Sequence, residues 1–401
     1  MHDLQAVLSP ILESHLGNTF PACTIQVNQA GTVLFNRAYG WIDPETQQFP
    51  TRPETLFDLA SITKLFTTTA FLSLVSEGRI TLEDRLVSIL PEFGAITPRP
   101  IDGGQDPHTK ERLPTPPERA SQTADPAAVT FWHLLTHTSG LPPWRDGFNA
   151  VGDAPVPPTQ IDPMPRAERW ARALRALCSY AFVSPPDNVV RYSDVGLMLL
   201  GEAVTRLHGG NDLSEVLQAR VISPLGRTDV MFNPVSEGGR TLTDTAPTED
   251  DPTWRRRRVW GEVHDENACG VGGVAGHAGL FATAEAVAAL GQAWLEGASR
   301  FGINSHLATE ATREQAQSDG TRRGLGFALK AATDSMAGDR MSMRAYGHSG
   351  FTGTTVWIDP AHELVVVLLT NRVYPGRWHG GIHEFRRAAH DAICAALGIG
   401  G

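Results

Sequence analysis

The chain has 401 residues, of which 41% are hydrophobic and 19% are charged, a composition typical of a folded globular protein and not of a disordered or fibrous one. Its 34 Lys and Arg residues against 44 Asp and Glu residues leave a formal net charge of −10, which argues against a nucleic-acid or anionic-membrane partner. The one basic run, residues 255–258, is too short to reverse that balance, and we interpret it as a solvated loop.

Cysteine usage and the first residues bear on location. The four cysteines are scattered without a CxxC pair, so neither a disulfide framework nor a thiolate zinc site is expected, and a reduced cytosol fits best. The first ten residues lack a basic region followed by an apolar one. The longest apolar stretch, residues 364–369, is far shorter than a membrane-spanning helix. We therefore expect a cytoplasmic protein without a membrane partner.

Both ends of the chain show hairpin and helix patterns. The two strand-like stretches of each hairpin are separated by a short turn, so they are expected to be antiparallel neighbours. The predicted elements are, in chain order, a helix over 3–15, a hairpin of 23–27 with 32–35, a hairpin of 354–358 with 363–370, and a helix over about 382–397.

The stretch between the two ends is mostly helical in pattern. We therefore expect an α/β (α+β) fold in which residues 1–58 and 270–401 form one sheet domain and residues 59–269 form a mostly helical domain. Two proline-rich segments, about 95–125 and 142–165, interrupt the helical domain. Each is longer than an ordinary connection, and it is either a lid or binding loop or a disordered surface insertion.

The segment 56–78 carries a serine and a lysine three residues apart. Residues 62–76 are apolar or Thr on nearly all faces and Gly78 follows, which predicts a buried helix with Ser61 and Lys64 on one face of its first turn. A lysine beside a serine in a dry site can help to remove the hydroxyl proton, and a helix N-terminus offers N–H groups to an oxyanion. The structural alternative is a helix-capping Ser61 with a solvent-facing Lys64.

Two further polar groups follow in the chain. Tyr192, Ser193 and Asp194 precede another apolar stretch, where a tyrosine could relay protons and a serine or aspartate could cap the helix. His348, Ser349 and Gly350 lie just before the C-terminal hairpin. Glycine lets a substrate backbone approach, and the polar side chains could hold a carboxylate or carbonyl. The alternative for this segment is a glycine-rich strand entry with a bulge.

In this order, SxxK, Tyr-Ser-Asp and His-Ser-Gly resemble the three motifs of the serine β-lactamase and penicillin-binding-protein superfamily, especially its class C-like and esterase branch. The resemblance implies a β-lactamase/transpeptidase-like fold, with an antiparallel sheet flanked by helices and a mostly helical second domain. It also implies a serine hydrolase that forms a covalent acyl-enzyme on an ester or amide bond. Residues 261–268 and 272–281 resemble a subgroup that includes penicillin-binding-protein-4B-like proteins and cytoplasmic muramyl-peptide amidases.

The resemblance also assigns roles to residues. Ser61 is the nucleophile, Lys64 and Tyr192 share the general-base and general-acid work, and the N–H groups of Ser61 and Phe351 form the oxyanion hole. Neither a metal nor an organic cofactor enters this scheme, and the substrate is a small ester, amide or muropeptide-like molecule. The implied substrate-binding residues are Asp194, His348, Ser349 and Gly350.

Two departures from the family pattern bear on the activity. Asp194 stands where many members have Asn, and a carboxylate near Lys64 favours the ammonium form, which would shift the role of base to Tyr192. His348 stands where many members have Lys, so a free substrate carboxylate should bind more weakly. These departures favour an esterase or a peptidoglycan-fragment amidase over a weak β-lactamase or D,D-carboxypeptidase. The alternative of another class is a non-catalytic ligand-binding relative.

Two other patterns resemble cofactor sites. His133 and His137 have the i, i+4 spacing of helical metal ligands, but the Glu of HExxH is absent, so we interpret them as structural histidines near a helix end. Residues 270–276 have the spacing GxGxxxG without a preceding β-branched strand, which favours a loop leading into a helix near Thr283 over a dinucleotide site.

Overall fold

The computed structural model describes residues 3–187 and 189–400 of the chain. The helices α1 to α12 are, in chain order, Leu4–His15, Thr63–Ser76, Phe131–Thr136, Gly147–Val151, Arg166–Leu177, Asp194–His208, Leu213–Leu217, Ser223–Leu225, Glu266–Gly270, Ala284–Leu295, Ser305–Thr312 and Ile382–Ala396. The strands β1 to β15 are Ala22–Gln29, Thr32–Gly40, Phe57–Asp58, Arg99–Pro100, Thr123–Ala124, Val230–Phe232, Asp250–Asp251, Arg257–Arg258, Leu280–Ala282, Ala316–Ser318, Thr321–Arg323, Ala328–Leu329, Tyr346–Ser349, Thr355–Asp359 and Leu364–Thr370.

Both chain ends contribute to one antiparallel sheet of eight strands. Its order is β10-β11-β12-β13-β14-β15-β1-β2, so the first and last hairpins are joined where β1 pairs with β15, with Ile25 opposite Leu368. The predicted helices and hairpins at the two ends are present, and their bounds agree with expectation within two residues except for β2, which continues five residues further to Gly40. The expected fold class, an antiparallel sheet flanked by helices with a largely helical second part, is confirmed.

Strand β15 is apolar throughout because it lies at the centre of the sheet with both faces covered. Alternate side chains of a strand point to opposite faces. Val366 and Leu368 join a core with α1 and α12, whereas Val365 and Val367 join a second core that includes α10 and α2. Neither face is open to solvent, so the usual apolar–polar alternation of a half-exposed strand is lost.

Helix α2 is the central element of the helical part. Twelve of its fourteen residues are buried, including Lys64, and α6 packs along it. The assignment of residues 59–269 to a separate domain stays a prediction.

All four cysteines lie in the described part of the chain, where they are buried and unpaired. Among the described helices, none combines the length and apolar character needed to cross a lipid bilayer.

Candidate active site

Ser61 lies in a single 3₁₀ turn, Ala60–Ile62, directly before α2. Ala60 has a φ of 46°, a left-handed conformation that is unfavourable for a residue with a Cβ atom. The Ala60 N–H donates to Asp58 Oδ1 at 2.8 Å, which holds the turn in this conformation. The Ser61 hydroxyl does not cap the helix, whose N-cap residue is Ile62. The turn instead presents Ser61 to a pocket.

Lys64 is almost fully buried, with 1% of its side chain exposed. Its Nζ atom donates to Ser61 Oγ at 2.9 Å and to the His277 carbonyl oxygen at 3.0 Å, and it lies 2.7 Å from Asp194 Oδ1. These oxygens surround a group that can only donate hydrogen bonds. Burial lowers the pKa of Lys64, but the charge and hydrogen bonding of Asp194 and Tyr192 together outweigh burial, so the pKa is raised. Lys64 is therefore an ammonium at rest, and the solvent-facing alternative is wrong.

Tyr192 lies beside this pair, with Lys64 Nζ 4.9 Å from the centre of its ring. Burial raises the pKa of Tyr192, while the Lys64 charge and hydrogen bonding with Lys64 and Ser61 act in the opposite direction. The net shift is upward, so Tyr192 is a neutral phenol at neutral pH. Its position is set by Ser193, whose hydroxyl caps α6 by accepting from the Gly196 N–H at 3.1 Å. The expected capping and the Tyr192 placement therefore coexist.

The predicted oxyanion donors are oriented by their own peptide groups. The Gly350 carbonyl oxygen accepts from Arg386 Nη2 at 2.9 Å. In a trans peptide the N–H points away from the preceding C=O, so the Phe351 N–H is directed away from Arg386. Phe351 lines the Ser61 pocket. Likewise, the Ala60 carbonyl oxygen accepts from the Thr63 N–H inside the helical turn, which directs the Ser61 N–H out of it.

Gly350 allows the third motif to approach the turn before Ser61 closely. A Cβ atom at this position would lie 2.5 Å from the Leu59 carbonyl oxygen and 3.2 Å from the Ala60 Cβ. Both neighbours precede Ser61 directly in the chain. Only a residue without a side chain fits this close to the turn that carries Ser61, which gives the glycine of the motif a physical reason.

His348 is buried, with 3% of the residue exposed. Its Nδ1 atom lies 2.9 Å from the Ser349 carbonyl oxygen, and its ring centre is 5.9 Å from that of Tyr192. Burial, with the charges of Arg323 and Lys64, lowers the pKa of His348 well below its usual value. The imidazole is therefore neutral down to acidic pH. A neutral ring next to Tyr192 offers no positive charge to a substrate carboxylate, which agrees with the weaker carboxylate binding expected from a histidine at this position.

A cavity of about 220 Å³ opens in front of these residues. Ser61, Tyr192, Asp194 and Phe351 line it. Both proline-rich segments also reach it, since its other lining residues include Pro107, His108, Pro143 and Trp144. These parts of the two segments are therefore pocket walls, which favours a binding loop over a disordered insertion. Sequence spacing gave no indication of these contacts.

Charged side chains on the opposite wall are paired with one another. Arg377 Nη2 donates to Glu266 Oε1 at 2.9 Å and also binds Glu249, and Lys110 Nζ donates to Glu266 at 2.9 Å. His264 Nε2 lies 3.2 Å from Glu249 Oε1. Burial raises the pKa of Glu249, but contact with His264 and Arg377 lowers it to about 2. The Arg, Lys and Glu side chains of this wall are thus charged, and their opposite charges neutralise one another.

The segment 261–268, which the sequence singles out only by its resemblance to a subgroup of the family, forms part of the pocket wall. His264, Asp265 and Glu266 line the pocket, and His277 Nε2 lies 2.8 Å from Asp265 Oδ1. This contact fixes the residue whose carbonyl oxygen holds Lys64. The histidine and acidic residues of this segment could have suggested a functional site from the sequence. Their spacing, however, does not predict that they lie beside Ser61.

The basic run 255–258 is not a solvated loop, so that interpretation is wrong. Arg255 is buried, and its Nη2 donates to the carbonyl oxygens of Val263 at 3.0 Å and His264 at 2.9 Å. A guanidinium with several fixed donors can organise a loop from the inside. Arg255 therefore supports the backbone of the charged pocket wall.

The two histidines of the metal-like pattern have structural roles. His133 forms a capping box with Thr130 at the start of α3. His137 follows that helix in a left-handed conformation, and its Nδ1 accepts from the Ser193 N–H at 3.1 Å. Within residues 3–187 and 189–400, no group of three His, Cys, Asp or Glu side chains is arranged to hold a metal ion. The GxGxxxG stretch begins at the last residue of α9 and is followed by β9, so it does not lead directly into a helix as expected; α10 starts after β9, with Thr283 as its N-cap.

Comparisons with known proteins agree with this geometry. The family model described as Beta-lactamase matches residues 12–390. A relative from Escherichia coli (strain K12), named "Putative D-alanyl-D-alanine carboxypeptidase", is 27% identical over 88% of this chain and 79% of its own length. The N-acetylmuramyl-L-alanine amidase of Bacillus subtilis (strain 168) is 28% identical over 90% of this chain and 79% of its own.

Solved structures show the same fold at lower identity. EstCE1, described as a hydrolase with promiscuous acyltransferase activity, aligns with a TM-score of 0.70 at 20% identity, covering 97% of this chain and 98% of its own. The octameric penicillin-binding protein homologue from Pyrococcus abyssi aligns with a TM-score of 0.69 at 22% identity, covering 99% of this chain and 78% of its own. At these identities the likeness concerns the fold alone.

Proposed function

The chain belongs to the Beta-lactamase family, and on that premise we propose that it is a hydrolase that cleaves an ester or amide bond through an acyl-enzyme on Ser61. The observation that carries the proposal is the 2.9 Å contact between Ser61 Oγ and the buried Lys64 Nζ, with Tyr192 beside both. A serine in such a pair is the usual nucleophile of acyl transfer. The names of the two relatives, a putative carboxypeptidase and an amidase, denote enzymes that cleave amide bonds.

The protonation states favour Tyr192 as the proton relay. Lys64 is held as an ammonium by Asp194, so it has no lone pair with which to accept the Ser61 proton. Tyr192 is a neutral phenol, and it can accept that proton on its oxygen while passing its own proton to the leaving oxygen or nitrogen. The Ser61–carbonyl bond forms, the bond to the leaving group breaks, and no free phenolate is required.

Lys64 and the two backbone donors stabilise the charge that develops in this step. The ammonium faces Ser61 Oγ as negative charge builds on it. In this proposal the N–H groups of Ser61 and Phe351 form the oxyanion hole that binds the substrate carbonyl oxygen. Water then attacks the acyl-enzyme along the reverse route, with Tyr192 taking a proton from water and returning one to Ser61.

Charge in the pocket selects against substrates with a free carboxylate next to the scissile bond. His348 is neutral, and Lys64 is paired with Asp194. Arg377 is the one Lys or Arg among the pocket-lining residues that the structure describes, and it is paired with Glu266. The described pocket lining therefore offers no unpaired Lys or Arg to anchor a carboxylate, although Arg323 lies 5.3 Å from the centre of the Tyr192 ring. This supports an esterase or a peptidoglycan-fragment amidase, the activity in the name of the Bacillus subtilis relative, over a D,D-carboxypeptidase. The cytoplasmic location stays a prediction.

Kinetics of three single variants test the proposal. Ser61→Ala, Lys64→Ala and Tyr192→Phe are each expected to lower hydrolysis of a p-nitrophenyl ester on the order of 10³-fold, because residues that move one proton as a unit fail together. Exposed His306 provides the matched control, and His306→Gln should retain parent activity. A folded Ser61→Ala protein with parent activity would contradict Ser61 as the nucleophile, whereas a parent protein without hydrolytic activity would favour the non-catalytic ligand-binding alternative.

A further inference from the structure

A large aromatic side chain is exposed near the entrance of the active-site cavity. Trp378 is 69% exposed and lies in the segment between β15 and α12. Its ring centre is 5.2 Å from that of His108, which lines the cavity. Most tryptophans bury their ring, so an exposed indole packed against a pocket residue points to a contact with a ligand.

Aromatic rings continue from this tryptophan into the cavity. His108 also packs against Phe351, with ring centres 5.6 Å apart. Phe351 is stacked on His264, with centres 5.5 Å apart and planes 27° apart. We call these four residues, Trp378, His108, Phe351 and His264, the aromatic strip. It runs from solvent to the residue whose N–H is assigned to the oxyanion hole.

Polar groups accompany the strip along its length. Arg377 precedes Trp378 directly in the chain and is paired with Glu266, and Lys110 lies two residues after His108 and pairs with the same carboxylate. These groups can exchange hydrogen bonds with hydroxyl and amide groups, but their charges are already compensated. The strip therefore suits a ligand that is neutral, rich in hydrogen-bonding groups, and flat on one face.

A pyranose ring has this combination of properties. Its C–H face packs on an indole, and its hydroxyl and acetamido groups bond to guanidinium and carboxylate groups at the ring edge. A hydrocarbon chain would cover the charged pairs of the wall and displace their water without offering them a hydrogen bond. We propose that the aromatic strip is a saccharide subsite that binds a sugar ring carried by the substrate, with Trp378 as its outer platform. This inference rests on the proposed function for the reacting bond.

Equilibrium binding to a Ser61→Ala protein tests the subsite without turnover. The two probes are N-acetylmuramyl-L-alanine amide and lactyl-L-alanine amide, which share the amide bond and differ by the pyranose ring. We expect the parent site to bind the glycosylated probe more tightly. Adding Trp378→Ala should lower the affinity for the glycosylated probe about tenfold relative to that for the lactyl probe. Trp378→Phe should restore part of this difference in affinity. Phe49, an exposed aromatic residue outside the strip, provides the control variant Phe49→Ala.

Each other outcome overturns the proposal. Equal affinity of the two probes for the parent site would show that the ring is not bound. An equal loss of affinity for both probes in the Trp378→Ala background would show a general change in the segment between β15 and α12. A larger loss for benzoyl-L-alanine amide than for the glycosylated probe would assign the strip to flat apolar groups. Retained ester hydrolysis by Ser61→Ala would instead contradict the proposed function, and the binding comparison would still stand.

Discussion

The carboxylate of Asp194 lies 2.7 Å from the Nζ atom of Lys64, at the N-terminus of one buried helix and in the first turn of another. Burial alone would favour a neutral lysine, whereas this contact keeps it charged. The pair therefore decides which side chain can accept the serine proton. In this chain the pair leaves Tyr192 as the group able to relay it.

Replacing Asp194 with Asn separates the two possible roles of Lys64. The variant removes the contact that raises the pKa of Lys64, so this pKa falls. If the ammonium form is the active one, activity is lost as pH rises through the Lys64 pKa, and Asp194→Asn moves that alkaline limb of kcat/KM to lower pH. A pH–rate profile of parent and variant measures the shift. Asp334→Asn, at an exposed ion pair, is the control.

The opposite result would assign the base to lysine. If neutral Lys64 accepts the proton, activity rises with pH through its pKa. Asp194→Asn would then move the acidic limb to lower pH and increase activity at neutral pH. That outcome would contradict the Tyr192 relay.

Activity on carboxylate-bearing esters should not rise relative to neutral esters as pH falls from 8 to 6. The reason is that the pKa of His348 is held well below 6.5 by burial and neighbouring cations, so no imidazolium forms in this range. Parallel pH profiles for a matched pair of neutral and anionic esters check this. A selective gain for the anionic ester near pH 6 that His348→Gln removes would show that the ring is charged and contacts substrate.

Gly350→Ala should impair both stability and catalysis. Its Cβ atom would meet the Leu59 carbonyl oxygen and the Thr354 hydroxyl, and overpacking of this kind costs about 1–3 kcal/mol. The displaced Phe351 N–H would lower kcat more than it raises KM. Gly380→Ala is the matched control, because a Cβ atom there has nothing within 4 Å. Unfolding curves and steady-state kinetics of both variants measure the effects, and equal behaviour of the two would contradict the packing argument.

Acid should destabilise the fold partly through His390. This histidine of α12 is fully buried, and burial lowers its pKa to about 4, against about 6.5 when unfolded. The unfolded chain therefore binds more protons between these values, and stability is lost as pH falls from about 6.5 to 4. Urea unfolding at several pH values measures the free energy of unfolding against pH. The slope of this plot between pH 4 and 6.5 should be smaller in His390→Gln than in the parent. The exposed His306→Gln should leave the slope unchanged, and an unchanged slope in both would contradict the argument.

Local patterns predicted most of the framework. The apolar run 62–76 identified α2, and the three-residue spacing of Ser61 and Lys64 was enough to bring them together because both lie on one helical turn. The strands of the end hairpins were found because their turns are short. In each case the interacting residues are close in the chain.

The remaining parts of the site depend on contacts between distant segments. Arg386 orients the Gly350 peptide from α12, 36 residues away, and the His277 carbonyl oxygen meets Lys64 across 213 residues. The run at 255–258 shows the same limit, because charge alone suggested solvent, whereas backbone carbonyl oxygens of the pocket wall surround Arg255. Sequence spacing contains no information on such pairings.

The most direct test of the account is intact-mass spectrometry of the protein after incubation with a fluorophosphonate. The account predicts one added phosphonyl group, located by peptide mapping on Ser61, and no adduct on a folded Ser61→Ala protein. The same measurement with a p-nitrophenyl ester should trap the acyl group during turnover. An adduct on another residue, or equal labelling of the Ser61→Ala protein, would contradict Ser61 as the nucleophile.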